Sequence, residues 1–387
     1  MDKLVLLPGP VMVHEDVLLR SAKQVMNHRS EEFEEILSEC IELAKYLFQT
    51  DGNVAVITGS GTAGMEAAIY SLVEPDEPVV SVVNGKFGAR FADIAERRGA
   101  DVHRVEFEWG EAADPKAVDE ALSETGASVV TVVQSETSTT VLNPVKEIAD
   151  VCKDHDAYLV VDAVSSLGGV EFRMDEWGVD VCVTGSQKVL GCPPGLALVA
   201  VSDEALERMK EVEAGSYYLD LVKYFEYLEE DPMQTPYTPA VNAFYALHEA
   251  LKKLKEEGLE SRWERYKRLQ EVVREGIRAM GLDLFVEDDS IASPTVTGVV
   301  YPEGVDDREF RGRILRDKYD VVVAGGQDHL AGKIFRIGHM GYMDEGDMLV
   351  TLLNLEEVLT ELGFEVEPGS GVAGFVKGRG EYLASLK

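Results

Sequence analysis

Residues 179–201 read VDVCVTGSQKVLGCPPGLALVAV. Two apolar runs, 179–185 and 196–201, flank a stretch that carries one cation, Lys188. Neither run alternates polar with apolar residues, as a half-exposed strand does. Continuous apolar runs of this length suit strands covered on both faces, which are mostly parallel and joined by helical crossovers. A lysine just past the end of such a strand stands where the loops of these folds collect function. A surface loop would also explain a lysine, so its surroundings decide.

Upstream, VAVIT (54–58), VVSVV (79–83), SVVTVV (128–133) and YLVVDAV (158–164) repeat the pattern, with helical segments at 62–73, 87–100 and 145–155 between them. The alternation predicts an α/β fold with a mostly parallel central sheet. Ahead of it, SEEFEEILSECIELAKYLFQ (30–49) sets Phe33, Ile36, Leu37, Cys40, Ala44, Leu47 and Phe48 at helical spacing, with Ser30 as the N-cap. Residues 241–281 are helical and rich in Lys, Arg and Glu, a connector between domains. Strands in TVTGVVY (295–301) and IFRIGH (334–339), with helices near 306–319 and 344–363, make a smaller α+β unit. The expected division is a large domain over 1–255, its N-terminal segment also touching the small domain, and a small C-terminal domain over 256–387. The glycine-rich tail EPGSGVAGFVKGRG (367–380) reads as loose.

The 387 residues hold 71 Asp and Glu against 37 Lys and Arg, a net charge of −34. Such a surface repels nucleic acid and anionic membranes. It also keeps a protein hydrated in concentrated salt, so a halophilic cytoplasm is the expected setting. No run reaches the roughly 18 apolar residues of a membrane span, and MDKLVLLPGP lacks the long apolar core of a signal peptide. Cys40, Cys152, Cys182 and Cys192 show no CxxC spacing and read as buried free thiols of a reducing compartment. No spacing of His, Cys or carboxylates suggests a metal site.

Between the strand at 54–58 and the next helix lies GSGT (59–62). Its glycines let backbone N–H groups approach an anion, Ser60 and Thr62 add hydroxyls, and the helix N-terminus adds positive potential. The stretch is not a Walker loop and not a GxGxxG turn. Asp162 ends the strand YLVVD, where a buried carboxylate needs a partner. A phosphate site, a strand-end Asp and the strand-end Lys188 together point to pyridoxal phosphate. Its aldehyde needs an amine, its ring nitrogen a carboxylate and its phosphate N–H donors.

PGP (8–10), GSGTAGMEAA (59–68), NGKFGARFADI (84–94), SETSTTVLNP (135–144), VVDAVSSLGG (160–169), GSQKVLGCPPG (185–195), TPYTPAV (235–241) and KIFRIGHMG (333–341) extend the pattern over nearly the whole chain. In this order they resemble the class V aminotransferases of fold type I, in the alanine–glyoxylate and serine–pyruvate branch. The resemblance implies that Lys188 forms the Schiff base with pyridoxal 5'-phosphate, that Gln187 contacts the cofactor and that Asp162 holds its ring nitrogen. It assigns Ser60, Gly61 and Thr62 to the phosphate, with Thr62 where relatives often carry histidine. Phe87 is the ring-stacking aromatic, often tryptophan in relatives, and Thr137 approaches the phenolic oxygen. Thr235 and Thr238 reach the phosphate of the other subunit, which implies a homodimer with shared sites; some relatives have tyrosine at the position of Thr235. Arg336 grips the substrate α-carboxylate, with Gly9 in PGP on the opposite side.

The implied reaction is a ping-pong transfer from a small amino acid, alanine or serine, to a 2-oxo acid such as glyoxylate or pyruvate. Aspartate or ureidoglycine are the alternative donors. A lyase of the cysteine desulfurase type needs a nucleophilic cysteine in the small-domain loop, and AGGQDHLAGK (324–333) holds none. A catalytically silent dimeric subunit would have no use for Lys188, Asp162 and Arg336. His28, His329 and His339 stand near cleft segments, as pocket residues or as ordinary polar ones.

Overall fold

The structure, a computed structural model, describes residues 3–385. In chain order its strands are β1 (Leu4–Leu6), β2 (Asn53–Thr58), β3 (Pro78–Val83), β4 (Asp101–Glu106), β5 (Val129–Val133), β6 (Ser135–Glu136), β7 (Val141–Leu142), β8 (Tyr158–Asp162), β9 (Val181–Gly185), β10 (Leu196–Val201), β11 (Val296–Val300), β12 (Val321–Gly325) and β13 (Ile334–Gly338). Seven of them form one sheet in the order β2-β10-β9-β8-β5-β3-β4. Only β10 is antiparallel to its neighbours, so the sheet is mostly parallel, as its unbroken apolar strands require. Helices cover both faces, and every residue of β5, β9 and β10 is buried.

On one face lies the helix Glu31–Phe48, which buries Phe33, Leu37, Cys40, Ala44, Leu47 and Phe48. Phe33 meets Phe244 of the helix Val241–Glu257 edge to face, 5.5 Å between centroids. Ser30 stands at the N-cap, but its hydroxyl makes no capping bond; its carbonyl takes the N–H groups of Phe33 and Glu34 instead. The helices Gly61–Leu72 and Lys86–Arg98 cover the opposite face. All four cysteines are buried and free. No helix among the described residues is long and apolar enough to cross a membrane.

A second sheet, β1-β12-β13-β11, carries the other core. Here the chain start pairs in parallel with β12, Leu4 opposite Val321. The helical stretch 241–281 is two helices, Val241–Glu257 and Leu259–Ala279, broken at Gly258.

The tail departs from expectation. Residues Ser370–Ser385 form a helix against Leu259–Ala279 rather than a loose segment. Its glycines serve close approach: a Cβ added at Gly374 would lie 2.3 Å from the carbonyl oxygen of Glu275, and at Gly378 3.0 Å from that of Glu271. Lys377 pairs with Glu275 at 2.6 Å. The edge strand β4, DVHRVE, also lies outside the sequence expectation, because its exposed, charged positions lack the apolar run that marks the buried strands.

Candidate active site

Strands β2, β3, β5, β8 and β9 all end at one edge of the main sheet, where ligands bind in open α/β folds. One pocket there is lined by Ser60, Gly61, Thr62, Phe87, Thr137, Asp162, Gln187 and Lys188, together with Met65, Arg90, Val133, Ser135, Val164 and Ser165.

Lys188 follows β9 by three residues, and its Nζ donates to the carbonyl of Pro8. Beside it Gly9 has φ +111, and an added Cβ would lie 2.4 Å from Lys188 Cδ. Only glycine meets both conditions. Burial lowers the Lys188 amine to about 8; Asp162 opposes the fall, while Arg336 and Arg90 add to it. Asp162 closes β8 and is 3 % exposed. Its Oδ1 accepts from the Val164 N–H at 2.8 Å. Burial pushes its carboxyl up to about 6, against that hydrogen bond and the charge of Lys188.

The helix Gly61–Leu72 opens at the pocket wall, and the hydroxyl of its N-cap Ser60 makes no capping bond. The first N–H groups of a helix have no partner within it, which makes its start an anion site. Thr137 Oγ1 lies 2.6 Å from Ser165 Oγ. The amide oxygen of Gln187 is buried and has no hydrogen-bond partner among the described residues. Buried polar atoms are nearly always paired, so the pocket wall holds an acceptor still to be used.

Arg336, on β13, is 5 % exposed and ties the second sheet to the loop that begins at Thr137. Its Nη1 donates to the carbonyl of Thr137 at 2.8 Å, and its Nε and Nη2 donate to that of Gly325 at 3.0 and 2.9 Å. It forms no ion pair among the described residues, and burial lowers it to about 10.

Thr235 and Thr238 are not among the lining residues of this chain's pocket. Thr235 is buried and its hydroxyl donates to the Tyr237 carbonyl at 2.8 Å; Thr238 is exposed. His339 is fully buried, with Nε2 2.9 Å from Thr297 Oγ1, and burial pushes it down to about 3, so it is a neutral core residue. His329 packs against Trp109 with centroids 4.3 Å apart and the ring planes tilted by 54°, and His28 does not line the pocket.

Two residues escape the sequence assignment. Glu136 of SETST is completely buried, and its Oε2 accepts the N–H groups of Phe87 and Gly88, each at 3.0 Å. It caps the helix that presents Phe87. Arg90 sits three residues beyond Phe87, and that spacing, legible in KFGAR, puts both on one helix face. A more open hollow behind the Lys188 loop is lined by His14, Val189, Arg262, Arg265 and Tyr342. Its arginines already pair with Glu257, so it offers less to a ligand than the strand-end pocket.

The class-V aminotransferase profile matches residues 12–342. An uncharacterized aminotransferase of Methanocaldococcus jannaschii is 48 % identical over 96 % of each chain. A protein of Synechococcus named as a soluble hydrogenase small subunit is 41 % identical over 96 % of each. The crystal structure of ureidoglycine–glyoxylate aminotransferase from Bacillus subtilis superimposes with a TM-score of 0.92 at 35 % identity, covering 97 % of each chain. With fold, profile and near full-length identity in agreement, the chain belongs to the class-V aminotransferase family.

Proposed function

We propose that the protein is a pyridoxal-phosphate-dependent aminotransferase that passes the amino group of a small amino acid, alanine or serine, to a 2-oxo acid such as glyoxylate or pyruvate by a ping-pong cycle. The observation that carries this is the meeting of Lys188, Asp162 and the start of the helix Gly61–Leu72 in one pocket. The residues fit the cofactor. Lys188 offers an amine to the aldehyde, Asp162 a carboxylate to the ring nitrogen, and Gly61 and Thr62 N–H donors to the phosphate. Phe87 offers a face to the ring, Thr137 a hydroxyl to the phenolic oxygen, and Gln187 its unpaired oxygen. Bound there, pyridoxal 5'-phosphate supplies an electrophilic aldehyde and an electron-accepting ring.

The chain's own groups then have distinct tasks. With its amine near 8, Lys188 is in good part neutral at mildly alkaline pH and acts as a base at the donor Cα. Asp162 keeps a proton on the ring nitrogen by its charge; a cation beside it favours the ionised carboxylate. Arg336 spends three N–H groups on carbonyls, which leaves one on each of Nη1 and Nη2 for the two oxygens of a substrate α-carboxylate. The same grip serves donor and acceptor, as a ping-pong cycle requires.

The exposed Thr238, away from this chain's own pocket, supports a homodimer in which it and Thr235 serve the partner's phosphate. On this reading residues 1–255 hold the cofactor and 256–387 supply Arg336. Four free thiols and the −34 charge support a reducing, salt-rich cytoplasm. Glyoxylate as acceptor draws support from the Bacillus relative, and its ureidoglycine is an alternative donor, as is aspartate.

Half-reactions test the proposal: protein loaded with the cofactor is mixed with single amino acids, and its visible absorbance followed. Bleaching with alanine or serine, reversed by glyoxylate or pyruvate, is the expected result. The Synechococcus relative's name favours a second reading, a catalytically silent subunit. Protein that takes up no cofactor, or does not change with any amino acid, would favour it.

A further inference from the structure

Arg90 lines the pocket. It forms no ion pair among the described residues, although the chain carries 71 acidic groups. Arg104, by contrast, pairs with Asp93 and Glu96 of the helix that carries Arg90. The Arg90 Nη1 donates to Thr62 Oγ1 at 3.0 Å, and the guanidinium carbon lies 4.7 Å from the centroid of the Phe87 ring. A ring beneath and a hydroxyl in front hold the cation towards the start of the helix Gly61–Leu72.

Two helices begin near the pocket, and they differ in what they have left to offer. The helix Lys86–Arg98 has the N–H groups of Phe87 and Gly88 taken by the Glu136 carboxylate and that of Lys86 by the Ser138 hydroxyl. That packing is close enough that a Cβ on Gly85 would lie 2.3 Å from Glu136 Cγ. Its N-terminal potential is thus already answered. Among the described residues the helix Gly61–Leu72 has no side-chain cap, and its first turn carries no acidic residue. A helix start supplies about half a positive charge, against nearly two negative charges on a phosphate monoester. The shortfall needs a full cation, and Arg90 stands hydrogen-bonded to the second residue of that helix.

Resting on the cofactor reading above, we infer that Arg90 is the cation that neutralises the cofactor phosphate, acting with Thr62. The Thr62 hydroxyl accepts from Arg90 and keeps its own hydrogen for a phosphate oxygen. Glu136, by fixing the first turn of its helix, aims both Phe87 and Arg90 and is a positioning residue.

The test uses the full chain and its Arg90→Gln and Arg90→Lys variants, each stripped of cofactor. Equilibrium dialysis measures the affinity for pyridoxal phosphate and for pyridoxal, which lacks the phosphate; melting measures stabilisation by inorganic phosphate. Arg90→Gln is expected to weaken pyridoxal phosphate about 10–100-fold, the range of a charged hydrogen bond. It should abolish stabilisation by phosphate and leave pyridoxal unchanged, with Arg90→Lys recovering part of the loss. Equal losses for both compounds, or none, overturn the inference. So does a KM rise confined to dicarboxylic donors with cofactor affinity intact, since that would make Arg90 a substrate residue. Wild-type protein that binds neither pyridoxal phosphate nor phosphate overturns the cofactor reading itself.

Discussion

Asp162→Asn removes a buried negative charge while keeping an oxygen for the Val164 N–H. Burial raises this carboxyl from 3.8 to about 6, with the attraction of Lys188 already included. The gap, 6 − 3.8, is worth about 3 kcal/mol at 1.36 kcal/mol per pH unit. The folded chain holds the proton more tightly than the unfolded chain, so the cost of the ionised group is present above pH 6. It shrinks as pH falls from 6 to 3.8 and vanishes below. Without cofactor, Asp162→Asn is therefore more stable than wild type at pH 8, by at most about 3 kcal/mol, and the two converge near pH 4. Adding pyridoxal phosphate reverses the order, because only the wild type gains a carboxylate–ring pair. Thermal melts of stripped and loaded protein from pH 4 to 8 check this. A stripped variant less stable than wild type at pH 8, or a difference that ignores pH, would mean that burial does not raise the Asp162 carboxyl.

Arg336→Lys loses the paired N–H donors and is expected to lower kcat/KM for every donor about 10–100-fold, with cofactor affinity unchanged; steady-state kinetics beside a cofactor titration read this out. Gly374→Val puts side-chain atoms where a Cβ already lies 2.3 Å from the Glu275 carbonyl. A loss of about 1–3 kcal/mol and faster proteolysis of the tail should follow, and an unchanged melt would return the tail to a loose segment. With 34 excess negative charges, the melting temperature should climb between low and molar KCl as self-repulsion is screened; a flat or falling curve removes the high-salt reading.

The parallel core was legible because strands such as β5 and β9 are buried at every position and carry apolar residues at most of them, Thr131 and Thr184 being the polar exceptions. β4 was not, since an edge strand with exposed Asp101 and His103 carries no such mark. Glycines misled at the C-terminus: in composition Gly374 and Gly378 look like flexibility, and only the facing carbonyls of Glu275 and Glu271 reveal them as contact residues. In the pocket, Lys188 and Asp162 could be read from their places at strand ends. Glu136 carries no such mark, and Arg90 shows only a helix face shared with Phe87, in KFGAR, and not what it serves. Their significance lies in partners distant along the chain, the N–H groups of Phe87 and Gly88 for one and Thr62 for the other. The role proposed for Thr235 and Thr238 rests on a second subunit, which one chain's fold does not supply.

The proposed reaction needs the amine of Lys188. Protein incubated with pyridoxal phosphate, reduced with borohydride, digested and mapped should carry the pyridoxyl mass on the peptide containing Lys188, and Lys188→Ala should carry none. A label on another lysine, or no label on the wild type, would contradict the proposed reaction.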